Sequence, residues 1–270
     1  MSALADITVL GLGLCGLEHI TREAERAIGT AREVLYLDTG VATRDWLEAR
    51  CPRVSSLYEQ TYVQDHPRLG AYHVMAARVV AAALDHAPVV FAIQGHPLVF
   101  VHAPVLVRDL AAVLGLSVEL LPGISAFDTL FADLWLDPCV YGLQVYEATD
   151  LLLRRRPLQP DVPALIWQVG NLETRLHTTR VSRPERFERF TRHLLQFYPG
   201  DHPVSAVYCS PHPLVPTERI ELPLARLGEH AHLLHPGLTL YLPPTHVRPL
   251  QDAQLLELID SAEHLRRITR

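Results

Sequence analysis

The chain has 270 residues, 49% hydrophobic and 20% charged, a globular rather than disordered or fibrous composition, long enough for one large or two ordinary domains of roughly 100–200 residues. Lys+Arg 24 against Asp+Glu 30 leaves a formal charge of −6, which disfavours a nucleic-acid or anionic-membrane surface as partner. Every basic residue is Arg, so chemistry that needs a lysine Schiff base or a P-loop lysine is excluded.

In chain order, Ile7–Leu14 is a short apolar run ending in glycine, and His19–Ala31 has helical spacing, starting near Thr21. Val34–Leu37 is a second strand, Gly70–His86 a helix rich in Ala and Val, and Val89–Ile93 a continuous apolar strand of the kind buried on both faces of a parallel sheet. Val105–Leu114 then reads as a helix, Ser117–Leu121 as a strand, and Asp128–Leu134 as a helix with Ser125 as N-cap. The second half offers strands at Gln144–Glu147, Ala164–Val169, Val204–Cys209 and Leu238–Leu242, with helices at Arg183–Phe197 and Gln251–Ile268. This alternation predicts α/β layers with parallel strands, divided near residues 118–122 into two α/β halves.

No apolar run approaches the roughly 18 residues of a membrane span, and Asp6 ahead of the first apolar run speaks against a signal peptide. Cys15, Cys51, Cys139 and Cys209 are far apart, with no C-x-x-C pair. The histidines show no metal-ligand spacing. The expectation is a cytoplasmic protein without metal. Arg154-Arg155-Arg156 reads as a solvated turn, or less simply as a grip for an acidic peptide.

Several glycine turns stand at strand ends. Gly11-x-Gly13-x-x-Gly16 between a strand and a helix, with Asp38 further on, fits a dinucleotide fingerprint. Gly95-His96-Pro97, Pro122-Gly123 and Gln168-Val169-Gly170 end three more strands, and a ligand lying across the strand ends meets all of these turns.

The segments VLGLGLCG, VVFAIQGHPLVF and VELLPGISAFD together resemble the tetrapyrrole methylase superfamily. The resemblance implies two α/β domains of the class III methyltransferase type, with S-adenosylmethionine between them and S-adenosylhomocysteine as product. Two further segments, residues 122–150 (PGISAFD…YEATD) and 166–173 (IWQVGNLE), resemble the borosin peptide backbone α-N-methyltransferases. The likeness runs over roughly residues 6–244 and divides the chain into 1–120, 121–245 and a C-terminal helix at 246–270.

Residues 57–75 (LYEQTYVQDHPRLGAYHVM) resemble the borosin catalytic block, with Arg68, Tyr72 and Tyr62 in place and Tyr58 offset by one residue. Arg68 and Tyr72, four apart, share a face if the segment is helical. An amide nitrogen becomes a nucleophile only as negative charge moves to its oxygen and its proton departs. A guanidinium stabilises that oxyanion and a nearby phenol relays the proton. Arg68 and Tyr72 are therefore the expected catalytic pair, supported by Tyr62 and Tyr58.

For the cofactor the resemblance implies Gln94, His96, Val99, Phe100, Ser125, Ala126, Gln168, Tyr208, Leu238 and Thr239. Gln94 departs from the family's aromatic residue before Gly-His-Pro. The resemblance also implies a homodimer. Because residues 243–270 look helical and end in arginines, the peptide substrate is expected on a separate chain. The alternatives are C-methylation of a corrin- or sirohaem-type tetrapyrrole, or a non-catalytic module that binds cofactor or peptide.

Overall fold

The computed structural model describes residues 5–40, 42–212 and 214–270. Five strands, Ile7–Gly11 (β1), Glu33–Leu37 (β2), Val54–Ser56 (β3), Val89–Ile93 (β4) and Val118–Leu121 (β5), form one sheet in the order β3-β2-β4-β1-β5. Every pairing in it is parallel. The central strands β1 and β4 are buried along their whole length, as expected for strands covered on both faces.

The helices of this half are Arg22–Thr30 (α1), Thr43–Glu48 (α2), Tyr58–Thr61 (α3), Arg68–His86 (α4) and Ala103–Val113 (α5). On one face, Met75, Val79 and Ala83 of α4 and Val107 of α5 pack against Ile7, Val9 and Phe91. On the other, Ala24 and Ile28 of α1 and Leu47 of α2 meet Leu10, Val34 and Ala92. Thr21 caps α1 through its hydroxyl, which accepts from the Ala24 N–H. The short elements α2, β3 and α3 carry too few residues for a periodic signal, and the sequence does not announce them.

The second half contains Ala126–Leu134 (α6), Pro138–Tyr141 (α7), Ala148–Leu153 (α8) and Glu188–Leu194 (α9). Its strands are Gln144–Glu147 (β6), Ala164–Trp167 (β7), Pro203–Tyr208 (β8), Glu218–Pro223 (β9) and Thr239–Leu242 (β10), in the order β6-β7-β10-β8-β9. Here the expectation of parallel strands fails. Only β6–β7 is parallel, and β10 inserts antiparallel between β7 and β8. Strands β7 and β8 still run the same way, joined through α9, but the chain's last strand splits them. Strand β9 was hidden because only Leu222 in it is fully buried.

Alternate residues of this sheet serve two cores. Ala164, Ile166 and Ala206 pack with Leu151, Phe187, Phe190 and Leu224. Leu165, Trp167 and Val207 face Leu130 of α6. The helix expected over Arg183–Phe197 opens with a tighter turn at Pro184–Phe187 before α9 begins. Strand β7 stops at Trp167 because Gln168 takes a left-handed conformation, φ 58°.

A single C-terminal helix over Gln251–Ile268 is also corrected. There are two, Ala253–Leu258 (α10) and Ala262–Ile268 (α11), because Ser261 leaves helical geometry to cap the second through the His264 N–H. Neither helix has a buried residue. Arg154 and Arg156 both pair with Asp150, so two cations of the arginine run are tied locally. No described helix is long and apolar enough to cross a membrane.

Candidate functional site

The carboxyl ends of β1, β4 and β5 converge through glycines. A Cβ at Gly11 would stand 2.3 Å from the Gly95 carbonyl oxygen and 2.7 Å from the Gly123 Cα, so three turns touch backbone to backbone there. Gly13 and Gly95 form an antiparallel bridge. Gly11 and Gly123 are explained by this close packing, whereas Gly13 and Gly95 take the left-handed φ of 77° and 74° that favours glycine. Asp38, which a dinucleotide reading would place on a ribose, instead accepts from the N–H groups of Thr39 and Gly40 and from the Thr43 hydroxyl. The chain leaves β1 toward β2 and leaves β4 toward β5, in opposite directions, so β1 and β4 flank the crevice where ligands settle in open parallel sheets.

The Tyr–Arg block assembles beside this crevice. Helix α4 begins two residues earlier than its apolar pattern, with Pro67 before it and Arg68 as its first residue. Arg68 and Tyr72 therefore do share a helix face. Tyr62 lies 5.1 Å from Tyr58 and 6.3 Å from Tyr72 between ring centroids, edge-on to the latter. All four sequence-predicted catalytic residues are brought together, Tyr58 included. Burial pushes the Tyr62 phenol well up, with Tyr72 and Tyr58 adding to the shift and Arg68 opposing it. Tyr62 therefore stays protonated at neutral pH and does not act as an anionic base.

The Arg68 guanidinium donates from Nη1 to Gln168 Oε1 at 3.1 Å and from Nη2 to the Thr174 carbonyl at 3.0 Å. Both acceptors are neutral and both belong to the second half. Among the described residues Arg68 has no carboxylate within ion-pair distance, so its charge is not neutralised. A cation at a helix N-terminus opposes the macrodipole, a local cost of the kind that folds carry at functional sites.

The segment before α4 is laced to the loop after β7. Asp65 N donates to the His177 carbonyl at 2.8 Å, His177 N to His66 O at 2.8 Å, and Arg68 N to Arg175 O at 3.0 Å. Arg180 and Asp65 form a bidentate pair across the same seam. His177 stacks 4.9 Å from Tyr62. Sequence reasoning missed His177 and Thr174, because their segment has no periodicity and only its long-range pairing places them at the site.

Two cavities meet at Arg68, Tyr72, Phe100, Val101 and Gln168. One, of about 420 Å³, runs along the strand ends past Leu37, Thr39, Gln94, Asn171 and Gly237. The other, of about 580 Å³, opens toward Leu69, Leu98, His102, Val105, Glu147 and Leu153. Both lie in the usual size range of small-molecule sites, roughly 300–1,000 Å³.

Of the residues expected to hold a cofactor, Gln94, Phe100 and Gln168 line the first cavity. Phe100 and Gln168 both have left-handed backbones, φ 56° and 58°, and strained residues of this kind concentrate at ligand sites. Tyr208 is packed against Gly237 in the cavity wall, and Leu238 and Thr239 follow that wall into the core. His96, Val99, Ser125 and Ala126 surround the turns after β4 and β5 without lining either cavity. The Ser125 hydroxyl is already engaged, donating to Asp128 and accepting from the Phe127 N–H in a capping box.

A nucleoside-bearing cofactor suits the first cavity: it offers amide groups at Gln94 and Gln168, an aromatic wall of Phe100 stacked 4.9 Å from Trp167, and backbone left bare at Gly237. Among the described residues no group of three or more His, Cys, Asp or Glu is placed to hold a metal ion.

Comparison with known proteins agrees with this architecture. A methyltransferase/ribosomally synthesized cyclic peptide (gymnopeptides) precursor from Gymnopus fusipes is 31% identical over 247 residues, covering 90% of this chain and 58% of the relative. A methyltransferase/type I borosin cyclic peptide precursor from Serendipita vermifera subsp. bescii is 34% identical over 165 residues, 61% of this chain and 40% of the relative. This chain therefore spans less than two thirds of the length of either. Among solved structures, a uroporphyrin-III C-methyl transferase from Thermus thermophilus complexed with S-adenyl homocysteine superposes with a TM-score of 0.57 at 19% identity, over 88% of this chain and 96% of that one. The model of the tetrapyrrole (corrin/porphyrin) methylases matches residues 6–209, and with two α/β layers meeting at one cleft the chain belongs to that family.

Proposed function

We propose that this chain transfers methyl groups from S-adenosylmethionine to backbone amide nitrogens of a peptide. The observation that carries this reading is Arg68: an unneutralised guanidinium, beside a cluster of three tyrosines, at the junction of the two cavities. The relatives whose names join methyltransferase to cyclic-peptide precursor support it.

The cofactor, when bound, supplies a methyl group on a sulfonium. Gln94 and Phe100 hold it in the strand-end cavity, and the peptide enters through the larger one. Arg68 donates to the amide oxygen as negative charge develops there, and the Tyr72 hydroxyl oxygen takes the departing amide proton while its own proton passes to water in the larger cavity. Donors aimed at developing charge in a water-poor site contribute about 3–4 kcal/mol each.

In this proposal the peptide is a separate molecule. The active form is a homodimer, and the apolar side chains left exposed just after α6 and on α7, Trp135 at 95% and Val140 at 61%, support association.

The test incubates the protein with methyl-labelled S-adenosylmethionine and a pool of synthetic Val-, Ile- and Gly-rich peptides, with uroporphyrinogen III in a parallel arm, followed by mass spectrometry. Label on peptide backbone nitrogen is expected. Label on the macrocycle alone establishes the tetrapyrrole reading, and label on this chain itself removes the separate substrate. Light scattering giving a fully active monomer removes the dimer.

A further inference from the structure

The cofactor set read from the sequence includes Gln168, yet its side-chain oxygen is turned to Arg68. Gln168 Oε1 accepts from Arg68 Nη1 at 3.1 Å, across 100 residues of chain. The amide is aimed there by its own backbone. Strand β7 ends at Trp167, Gln168 adopts φ 58°, and the turn that follows is wedged by Gly170, where a Cβ would stand 2.2 Å from the His235 carbonyl carbon. A left-handed Gln is uncommon, and here it sits between the end of a buried strand and a glycine pressed against the His235–Pro236 backbone.

From the arrangement we infer that Gln168 is the positioning residue of Arg68, and that its neutral amide is what the reaction requires at this place. This rests on the role given to Arg68 in the proposed reaction. The guanidinium is planar, and fixing two of its donors fixes the direction of the rest. Gln168 Oε1 and the Thr174 carbonyl do this without adding charge, so the free N–H groups keep their full pull on a developing oxyanion. A carboxylate at 168 would keep the hydrogen bond but neutralise the cation. An alanine would free one arm of the guanidinium. The Gln168 amide group has no protein partner on its Nε2 side among the described residues, so it is free to face ligand while the oxygen holds Arg68.

The experiment is a double-mutant cycle on the full chain with the labelled cofactor and peptide pool, and calorimetry with S-adenosylhomocysteine alongside. Q168A is expected to lower kcat by roughly ten- to a hundredfold, the usual worth of a hydrogen bond to a charged group. The S-adenosylhomocysteine affinity should stay within about twofold, and KM should change less than kcat. Q168E, similar in shape, should lose at least as much as Q168A, and this separates electrostatic positioning from mere filling of space. In an R68K background, where the planar fork is gone, Q168A should cost little more, since interacting residues are non-additive. Losses that multiply in the double variant, or a fall in cofactor affinity with unchanged kcat at saturation, overturn the inference and leave Gln168 as a cofactor contact. Wild-type turnover by R68K overturns the role of Arg68 itself, and this inference with it. Circular dichroism melts identify any variant that has lost its fold, and Q168N, an amide one methylene shorter in a residue tolerant of left-handed backbone, then takes the place of Q168A.

Discussion

Arg68 occupies the one helical position where its charge is least welcome, and it is held there by two carbonyl-type oxygens from the other half of the chain. The unfavourable macrodipole offsets part of what those two hydrogen bonds contribute, so the loss of Arg68 should be felt more in turnover than in stability. Arg68→Ala is expected to lower kcat by about 10²–10³, the range for removing one donor to a developing oxyanion, and Tyr72→Phe by about 10²–10⁴ as for a lost proton relay. Both should leave the melting temperature and S-adenosylhomocysteine affinity near wild type, as calorimetry will show. Turnover by either variant close to wild type removes it from the catalytic pair. The i, i+4 spacing of these two was legible in the sequence because it lies within one helix. The partners of Arg68 were not, since they lie about 100 residues away on turns with no repeating pattern.

At the level of elements, the strand-end turns of β1, β4 and β5 lean on backbone rather than on side chains. Gly11→Ala would force a methyl group into the Gly95 carbonyl and the Gly123 Cα. Overpacking of this kind costs typically about 1–3 kcal/mol. The expected outcome is a lower denaturation midpoint together with weaker cofactor binding, because the same turns border the crevice; unchanged values of both would mean that the turns part without cost. The first turn of α6 gives a pH signature. Burial raises the Asp128 carboxyl, but the Ser125 N–H and O–H donate to it and the balance lies below the ordinary value. A folded pKa below the unfolded one means stability that is present above about pH 3.9 and fades as pH falls through the folded value. Urea midpoints measured from pH 6 down to 2.5 should show this acid-side loss in the wild type, and a smaller one in Asp128→Asn. Equal slopes would remove the cap from the acid response. The capped starts at Thr21 and Ser125 were readable, because a hydroxyl just before a helical period is a local signal. Helix α2 has no side-chain cap, and β3 is three residues long, so neither left one.

For the whole molecule, the all-parallel first sheet followed from its apolar, helix-spaced strands, while the second sheet shows the limit of that reasoning. Strand β10 looks like any short buried strand, and nothing local states that it enters between β7 and β8 from the opposite direction. The chain reaches β10 after the 3-10 helix Leu224–His230, whose Leu224 and Leu227 are buried in the same core as Phe187 and Leu238, all contacts distant in sequence from β7.

The lacing of residues 64–68 to residues 174–180 also has a temporal meaning. Each side of that seam leads into or out of a different sheet, and the two hydrogen bonds that direct the guanidinium cross from one half to the other. On the proposed function, competence to turn over substrate is therefore expected late in folding. On dilution from denaturant, helical ellipticity should return before methyl transfer, with activity following the slower step. Simultaneous recovery of the two signals would mean that the halves dock as they fold.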